Sequence, residues 1–497
     1  MAEFRQAVVV VAAEGGLCMA NQEQFGRHGN TQEKSPPVRL CDWAGEFQYI
    51  WLLVDRRQFL AELLVLNYPD SQYRHAQDSE VAYPEGWRCA RREPLPMHTS
   101  ASYLPIAIVG AGPVGLVCAA LLVEAGHPVL VLERNSGLAR DMRASTFHPA
   151  TLDLLEPLGV VEPLVACGSI SQGWQYMIHG TKQHAVFDLD VIADLTRHPY
   201  RLQCEQFHLT SLLLERLEAN PLFEIRFNHE VTAVGERNGK AAFGVRWPGG
   251  ATEWQAGWLI AADGGRSAVR GHLGLAFEGS MFPRTSITLV LDHPFQEHVE
   301  GLLGVNYAWT ETGHYSLIQI RNLWRFSYSP DPGQSVEDAL SEPVAQAHLR
   351  LLFPRREPYA VLQRNHYTLQ QRCLQSFRAG HVLFAGDAAH LSSPVGGMGM
   401  NAGIHDAHCL AEHLLAVLGG ADETLLDRYS RRRRTVALEE VQPLSARNYH
   451  WHRETDPSRR EAIWRELQVI VEDRERMREF LLDSSMIRSR QREREID

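Results

Sequence analysis

The residues best suited to chemistry lie in one glycine-rich stretch, Gly386-Asp387 followed by Pro394, Gly396, Gly397, Gly399, Met400, Asn401 and Gly403. The apolar run from His381 to Phe384 predicts a short strand, and the turn after it feeds a helix beginning near Met400. Glycine removes the Cβ that keeps backbone away from a ligand, and a helix N-terminus carries about half a positive charge suited to an anion. Asp387 adds a fixed acceptor, better matched to a sugar-alcohol hydroxyl than to a phosphate. The combination describes a seat for something anionic at one end and polyhydroxylated at the other, as a reduced flavin with its ribityl chain is. The plainer reading is a loop that only turns a corner.

Two upstream blocks favour the seat. Ile106 to Val109 reads as a buried strand, followed by Gly110-Ala-Gly112-Pro113-Val-Gly115, an apolar helix from Leu116 to Ala125, and a second strand, Val129 to Leu132, ending in Glu133-Arg134. This is the pattern of a dinucleotide-binding βαβ unit. The first glycine makes the tight turn, the second lets backbone reach a pyrophosphate, the third lets helix pack on strand, and the acid accepts from a ribose hydroxyl. The next block, Trp258 to Ala262, is a buried strand delivering Asp263-Gly264, then Arg266 and Arg270 at a helix start. That context favours a dinucleotide-facing role for Asp263 and Arg266 over an exposed ion-paired turn. Arg143, just beyond the βαβ unit, is placed to reach the cofactor or else to sit at the surface; His148, before Pro149, shapes a turn.

The elements that must position these residues belong to a chain of 497 residues, long enough for two or three domains. Its net charge of -11 argues against nucleic acid or an anionic membrane as partner. Eight scattered cysteines give neither a disulfide framework nor a metal-site spacing, which points to a reducing, cytoplasmic setting with no metal. No apolar run approaches the roughly 20 residues of a membrane span, and Ala7 to Ala13 makes a poor signal peptide. Residues 1–103 carry no recognisable chemistry beyond an amphipathic helix expected from Tyr49 to Leu66. Met97 lies thirteen residues before Gly110, so the working protein is expected to begin there, the first 96 residues being an upstream-start artefact or an appendage.

Short alternating runs between Gly173 and Tyr200 predict strands, Gln203 to Leu217 a helix, and Phe223–Phe227 and Ala242–Trp247 further strands. Thr285–Leu291, Leu303–Trp309, His314–Ile320 and Trp324–Tyr328 fit an antiparallel sheet, interrupted by a helix from Val336 to Leu352 before Tyr359–Tyr367. Arg431 to Arg434 read as a solvated helix face. Arg459 to Leu482 reads as one amphipathic helix whose stripe of Trp464, Leu467, Val471 and Phe480 docks on the main body or on a partner in a homodimer. Arg488 to Asp497 reads as frayed.

Taken in order, Gly110-x-Gly112-x-x-Gly115 with Glu133, Asp263-Gly264 with Arg266, and Gly386-Asp387 with the Pro394–Gly403 loop resemble the group A flavoprotein monooxygenases, the para-hydroxybenzoate hydroxylase family, over residues 104–440. The resemblance implies an α/β fold: a Rossmann-like FAD-binding domain of the para-hydroxybenzoate hydroxylase type with an inserted antiparallel β-sheet substrate domain and C-terminal helices. Residues 104–180, 201–277 and 376–440 would form the FAD part, 181–200 and 278–375 the substrate sheet, and 441–497 a helical tail, after an extension of 1–103.

By the same resemblance Gly110, Gly112, Pro113, Gly115, Glu133 and Arg134 hold the ADP half of FAD. Arg143 and Gln206, with Gln203 as the competing glutamine, approach the flavin. Asp263 and Arg266 match a dual FAD and NAD(P)H motif, and Gly386-Asp387 takes the ribityl chain. Gly397 and the backbone from Gly399 through Met400 and Asn401 to Ala402 face the ring, with Pro394 over its reacting side. Met398 and Cys409 depart from the family, which commonly has glutamine and asparagine there.

The implied chemistry is reduction of FAD by NAD(P)H, addition of O2 to give a flavin C4a-hydroperoxide, and oxygen transfer to a small phenolic or N-heteroaromatic ring. Tyr307, His314, Tyr315 and Tyr328 are the candidates to deprotonate or relay. A halogenase on the same fold would need a W-x-W-x-I-P run and a nearby lysine, and neither occurs. An epoxidase or reductase acting on lipids is a second rival on the fold, and a non-catalytic FAD-binding redox or scaffold protein is a rival of another class.

Overall fold

Five short apolar strands lie parallel in one sheet, because each is left by a turn into a helix or a crossover rather than by a tight hairpin. They are Phe223–Arg226, Val129–Leu132, Leu104–Val109, the distal half of Gly250–Ala261, and Val382–Phe384, in that spatial order. The proximal half of Gly250–Ala261 pairs instead with a meander of Ala241–Trp247 and Glu230–Glu236. The computed structural model describes residues 10–13, 16–19, 38–41, 47–50, 104–140, 144–282 and 285–497, and the chain divides into Met1–Arg91 and Arg92–Asp497. In the first unit Val10–Ala13 pairs with Gly16–Met19 and Val38–Cys41 with Phe47–Ile50. Tyr49 and Ile50 are therefore strand where a helix is expected; the rest of that helix, and Met97, lie outside the described residues.

In the second unit the parallel sheet is packed by Pro113–Glu124, a helix apolar all round and accordingly buried between the sheet, the helix Met398–Leu418 and the helix Gln206–Glu218. A seven-stranded sheet, mostly antiparallel, is built from Gly173–Ile178, His184–Asp188, Ser286–Leu291, Val305–Trp309, His314–Ile320, Leu323–Tyr328 and Val361–Tyr367. It thus takes in Gly173–Ile178, on the N-terminal side of residue 181. Between the sheets, Thr146–Phe147, Arg201–Gln203 and Ser169–Ser171 make a three-stranded ribbon.

The expected Val336–Leu352 helix is two, Val336–Leu340 and Glu342–Leu352, parted at extended Ser341, the N-cap of the second, with Pro343 in its first turn. The tail also differs from expectation. Pro457–Glu472 and Arg474–Ser484 are separate helices, the second capped by Asp473, whose side chain accepts from the Glu475 and Arg476 amides. Leu467 and Phe480 pack with Trp174, Phe187 and Tyr307 of this chain's own sheet. Ile487–Glu495 is helical rather than frayed.

The arginine run is a solvated face only in part, Arg431 being exposed and Arg433 buried. Arg431 and Arg432 donate to the Asp497 and Ile496 carbonyls, Arg434 to the Leu374 carbonyl, and Arg433 is wholly buried against Asp406. Main-chain acceptors and a carboxylate distant in sequence make that burial possible. No described helix is long and apolar enough to cross a membrane.

Candidate active site

Register brings three loops to one edge of the parallel sheet. Ala261 pairs with Val109 on one side and Phe384 on the other. The chain therefore leaves these strands together into Gly110, Asp263 and Gly386-Asp387, at the carboxyl ends where such sheets bind ligands. The Ala262 amide donates to the Val109 carbonyl (2.9 Å) and the Ala385 amide to that of Ala261 (3.1 Å).

Each glycine of the first loop has its own reason. A Cβ on Gly110 would meet the Ala262 carbonyl oxygen at 2.5 Å, and one on Gly115 the Gly110 oxygen at 2.0 Å, whereas one on Gly112 would meet no described atom beyond its own neighbours in the chain within 4 Å. That open position is the one the pattern reserves for a pyrophosphate. Glu133 stands beside it, accepting from the Ala111 amide (3.0 Å) and from Asn135. Arg134 and Arg266 are exposed at the rim, and Arg143 lies outside the described residues.

Asp263 accepts from the Val269 amide through Oδ2 (3.1 Å), while its Oδ1 is buried with no partner. Arg270 locks the second loop to the third, donating to the Ala388 and Gly265 carbonyls. Val114 wedges the first against the third: a Cβ on Gly386 or Gly403 would meet its methyl at 2.8 or 2.6 Å. Asp387 faces out beside Gly399, its Oδ1 at 4.0 Å from where a Cβ there would stand.

Two helix N-termini open onto this edge, Pro113–Glu124 after Gly112 and Met398–Leu418 after left-handed Gly397, and neither has a side-chain cap. Their free N–H groups and dipoles suit anionic groups. Pro394 is exposed on the loop ahead of them. The Asn401 side chain is spent on structure: it accepts from the His148 amide and donates to the Thr146 and Gly397 carbonyls, leaving its backbone for any ligand.

Behind the loop Asp406, fully buried, accepts from the Gly386 amide, His390 and Arg433, and Arg433 reaches on to Glu493. Burial alone would raise the Asp406 pKa, but His390 and Arg433 override it and hold the carboxyl at about 2. Cys409, the departure on this helix, is buried against His413.

The substrate-side candidates separate by face. Tyr307 and Ser316 are cross-strand partners, as are Ala308 and Tyr315, so Tyr307 and Tyr315 point to opposite sides of the sheet. Tyr315 and Tyr328 lie under the helices at 336–352, their hydroxyls bonded to His179 and the Ala339 carbonyl. The sheet itself stands between them and the glycine loop, so they are core residues and not candidates for proton transfer.

Tyr307 is on the loop side, with Trp174 and Tyr176, and His314 shares that face, its ring 4.8 Å from that of His452. His148 Nε2 lies 2.8 Å from the Gly396 carbonyl oxygen. Burial and the charge of Arg201 push its pKa down to about 3, so the ring is neutral and donates, which fixes the loop's turn. Gln206 opens its helix half-buried. Gln203 accepts from Thr146 and keeps a buried Nε2 without a partner.

Sequence reasoning missed Trp174, Tyr176, Arg201, Arg447 and His452, and nothing in the short strand Arg201–Gln203 marks its arginine out. Elsewhere, Asp153, Glu156 and His198 bring ligand atoms within 4.8 Å of one another. Asp153 already accepts from Thr196 and Arg197, and Glu156 pairs with Arg197.

Residues 103–443 match the family model described as an FAD binding domain. The chain is 34% identical over 394 residues to para-nitrophenol 4-monooxygenase of Pseudomonas sp. (strain WBC-3), covering 78% of this chain and 96% of that one. It is 32% identical over 381 residues to 6-hydroxy-3-succinoylpyridine 3-monooxygenase HspB of Pseudomonas putida, covering 76% and 96%. The crystal structure of p-nitrophenol 4-monooxygenase PnpA from Pseudomonas putida DLL-E4 superposes with a TM-score of 0.73 at 33% identity, covering 77% of this chain and 98% of that one.

Proposed function

The chain belongs to the group A FAD-dependent aromatic monooxygenases, and from that membership we propose that it hydroxylates a phenolic or hydroxylated N-heteroaromatic ring with NAD(P)H and O2. The observation that carries the reading is the convergence of three loops on the strand ends, with open space at Gly112 and an unpaired Asp263 Oδ1. These fit an extended dinucleotide. The names of both relatives specify a six-membered ring bearing a hydroxyl, which supports the substrate class. Buried, unpaired Cys118, Cys204, Cys373 and Cys409 support a reducing, cytoplasmic setting.

In this reading Gly110, Gly112, Gly115 and Glu133 hold the ADP half, Asp263 takes a hydroxyl or phosphate-bound water through Oδ1, and Asp387 holds the ribityl chain. The amides at the start of Met398–Leu418 oppose negative charge on the ring. Bound FAD supplies oxygen activation, with electrons drawn from NAD(P)H. The protein's task is to place the aromatic ring, keep water away through Trp174, Tyr176 and Tyr307, and keep the ring electron-rich by stabilising its ionised hydroxyl. One oxygen atom enters the ring and the other leaves as water.

The test is a panel of phenols and hydroxypyridines added to the FAD-loaded protein. At least one should accelerate NAD(P)H oxidation and gain one oxygen by mass spectrometry. Protein that keeps FAD yet gives no ring-dependent oxidation and no oxygenated product across the panel would be a flavoprotein of another kind.

A further inference from the structure

Within that reading of the site, we propose that Arg201 is its anion anchor: held on the face of Trp174 and beside Tyr307, it takes the oxygen of an aromatic substrate bound as a phenolate. Arg201 is 3% exposed, with its guanidinium carbon 4.7 Å from the Trp174 ring centroid. No carboxylate among the described residues pairs with it. Arg325 and Arg433, comparably buried, are matched by Glu205 and by Asp406 with Glu493. A buried charge without a counter-charge costs several kcal/mol, so a fold that keeps one has a use for it.

The unused hydrogen-bonding capacity is mostly that of donors, the one acceptor facing Arg201 being His148 Nδ1. Arg201 Nε, Trp174 Nε1 and Gln203 Nε2 are all buried donors with no partner. Gln203 lies two residues along the same strand and so on the same side as Arg201. The ionisable groups facing the guanidinium are Tyr307, Tyr176 and His148, and all are neutral: burial raises both phenols and lowers the imidazole. A second guanidinium, Arg447, faces the Asp483 and Glu466 carboxylates as well as Tyr176, with Nε and Nη2 unpartnered. In a chain of net charge -11 this corner is positive and lined with donors.

The ligand it suits is a flat anion. The rings of Trp174 and Tyr176 stand 6.0 and 5.4 Å from that of Tyr307, so the guanidinium is set in an aromatic surround that screens it from water. An uncompensated cation lowers the pKa of a phenol docked against it. A neutral phenol would therefore release its proton to solvent on binding, and no dedicated base is required to make the ring electron-rich.

The test compares 4-nitrophenol with its methyl ether, 4-nitroanisole, on the FAD-loaded protein, reading binding from the flavin absorbance change. Wild type should prefer the phenol by roughly tenfold or more and, below the phenol's own pKa, release one proton per molecule bound. Arg201→Gln should cost roughly tenfold for the phenol and nothing for the ether, Arg201→Lys should fall between, and KM should rise with little change in kcat above the phenol's own pKa, kcat falling as well below it. Equal affinities for phenol and ether in wild type, or equal losses for both in Arg201→Gln, overturn the proposal. If Arg201→Gln fails to retain FAD, the wild-type ratio and the proton count decide alone. Wild type that binds neither compound, tested against the wider panel, rejects the aromatic-hydroxylase reading and this anchor with it.

Discussion

The two faces of the seven-stranded sheet are equally aromatic and serve opposite ends. Under the helices at 336–352, Phe295, Tyr315, Phe326, Tyr328, Phe353 and Tyr359 interlock, and each tyrosine hydroxyl there has a partner. On the other face, Trp174, Tyr176, Tyr307 and Trp309 are as deeply buried, yet Trp174, Arg201, Arg447 and His452 leave nitrogen atoms unpaired. Burial and aromatic content therefore do not distinguish core from site. On this sheet the polar groups left unsatisfied at a cost do.

The sharpest way to break this contrast is Phe326→Ala on the satisfied face. Removing a fully buried ring should cost about 3–5 kcal/mol in chemical denaturation while leaving the affinity of the folded protein for a nitrophenol unchanged. A loss of affinity would mean the two faces are not independent. The pH dependence comes next. His148 is held at about 3, below its ordinary 6.5, so the fold favours its neutral form. That contribution is whole above pH 6.5 and is lost as pH falls toward 3. His148→Phe should flatten the acid limb of the stability curve by on the order of 2 kcal/mol, and an unchanged limb would place the acid sensitivity elsewhere. The smallest effect is the most specific: Tyr328→Phe should cost about 1 kcal/mol of stability with KM unmoved, whereas Tyr307→Phe, whose hydroxyl bonds Arg201 and the Gly396 backbone, should raise KM severalfold at a similar cost in stability. Interchanged outcomes would reverse the assignment of the faces.

What could be read from the sequence was what local rules determine. Gly110, Gly112 and Gly115 are interpretable because each answers to backbone within a few residues of a turn, and Glu133 because a strand's length sets its place. Alternation separates Tyr307 from Tyr315 but does not say which side meets the loop; that follows from the crossover placing Val305–Trp309 beside Gly173–Ile178. Arg201 was invisible because its meaning is an absence, the lack of a carboxylate partner among the described residues, and such an absence appears only in three dimensions. Arg433 misled for the converse reason: its partner Asp406 lies 27 residues back and Glu493 60 residues ahead, so a run that looks solvated by composition is half interior.

The line from Glu493 through Arg433 and Asp406 to the Gly386 amide also has a bearing on biosynthesis. The ribosome delivers Gly110 and its partners early, but the brace behind the third loop is complete only when the helix Ile487–Glu495 has emerged. A C-terminal fusion that pulls that helix aside should therefore yield a chain that is synthesised in full but pale.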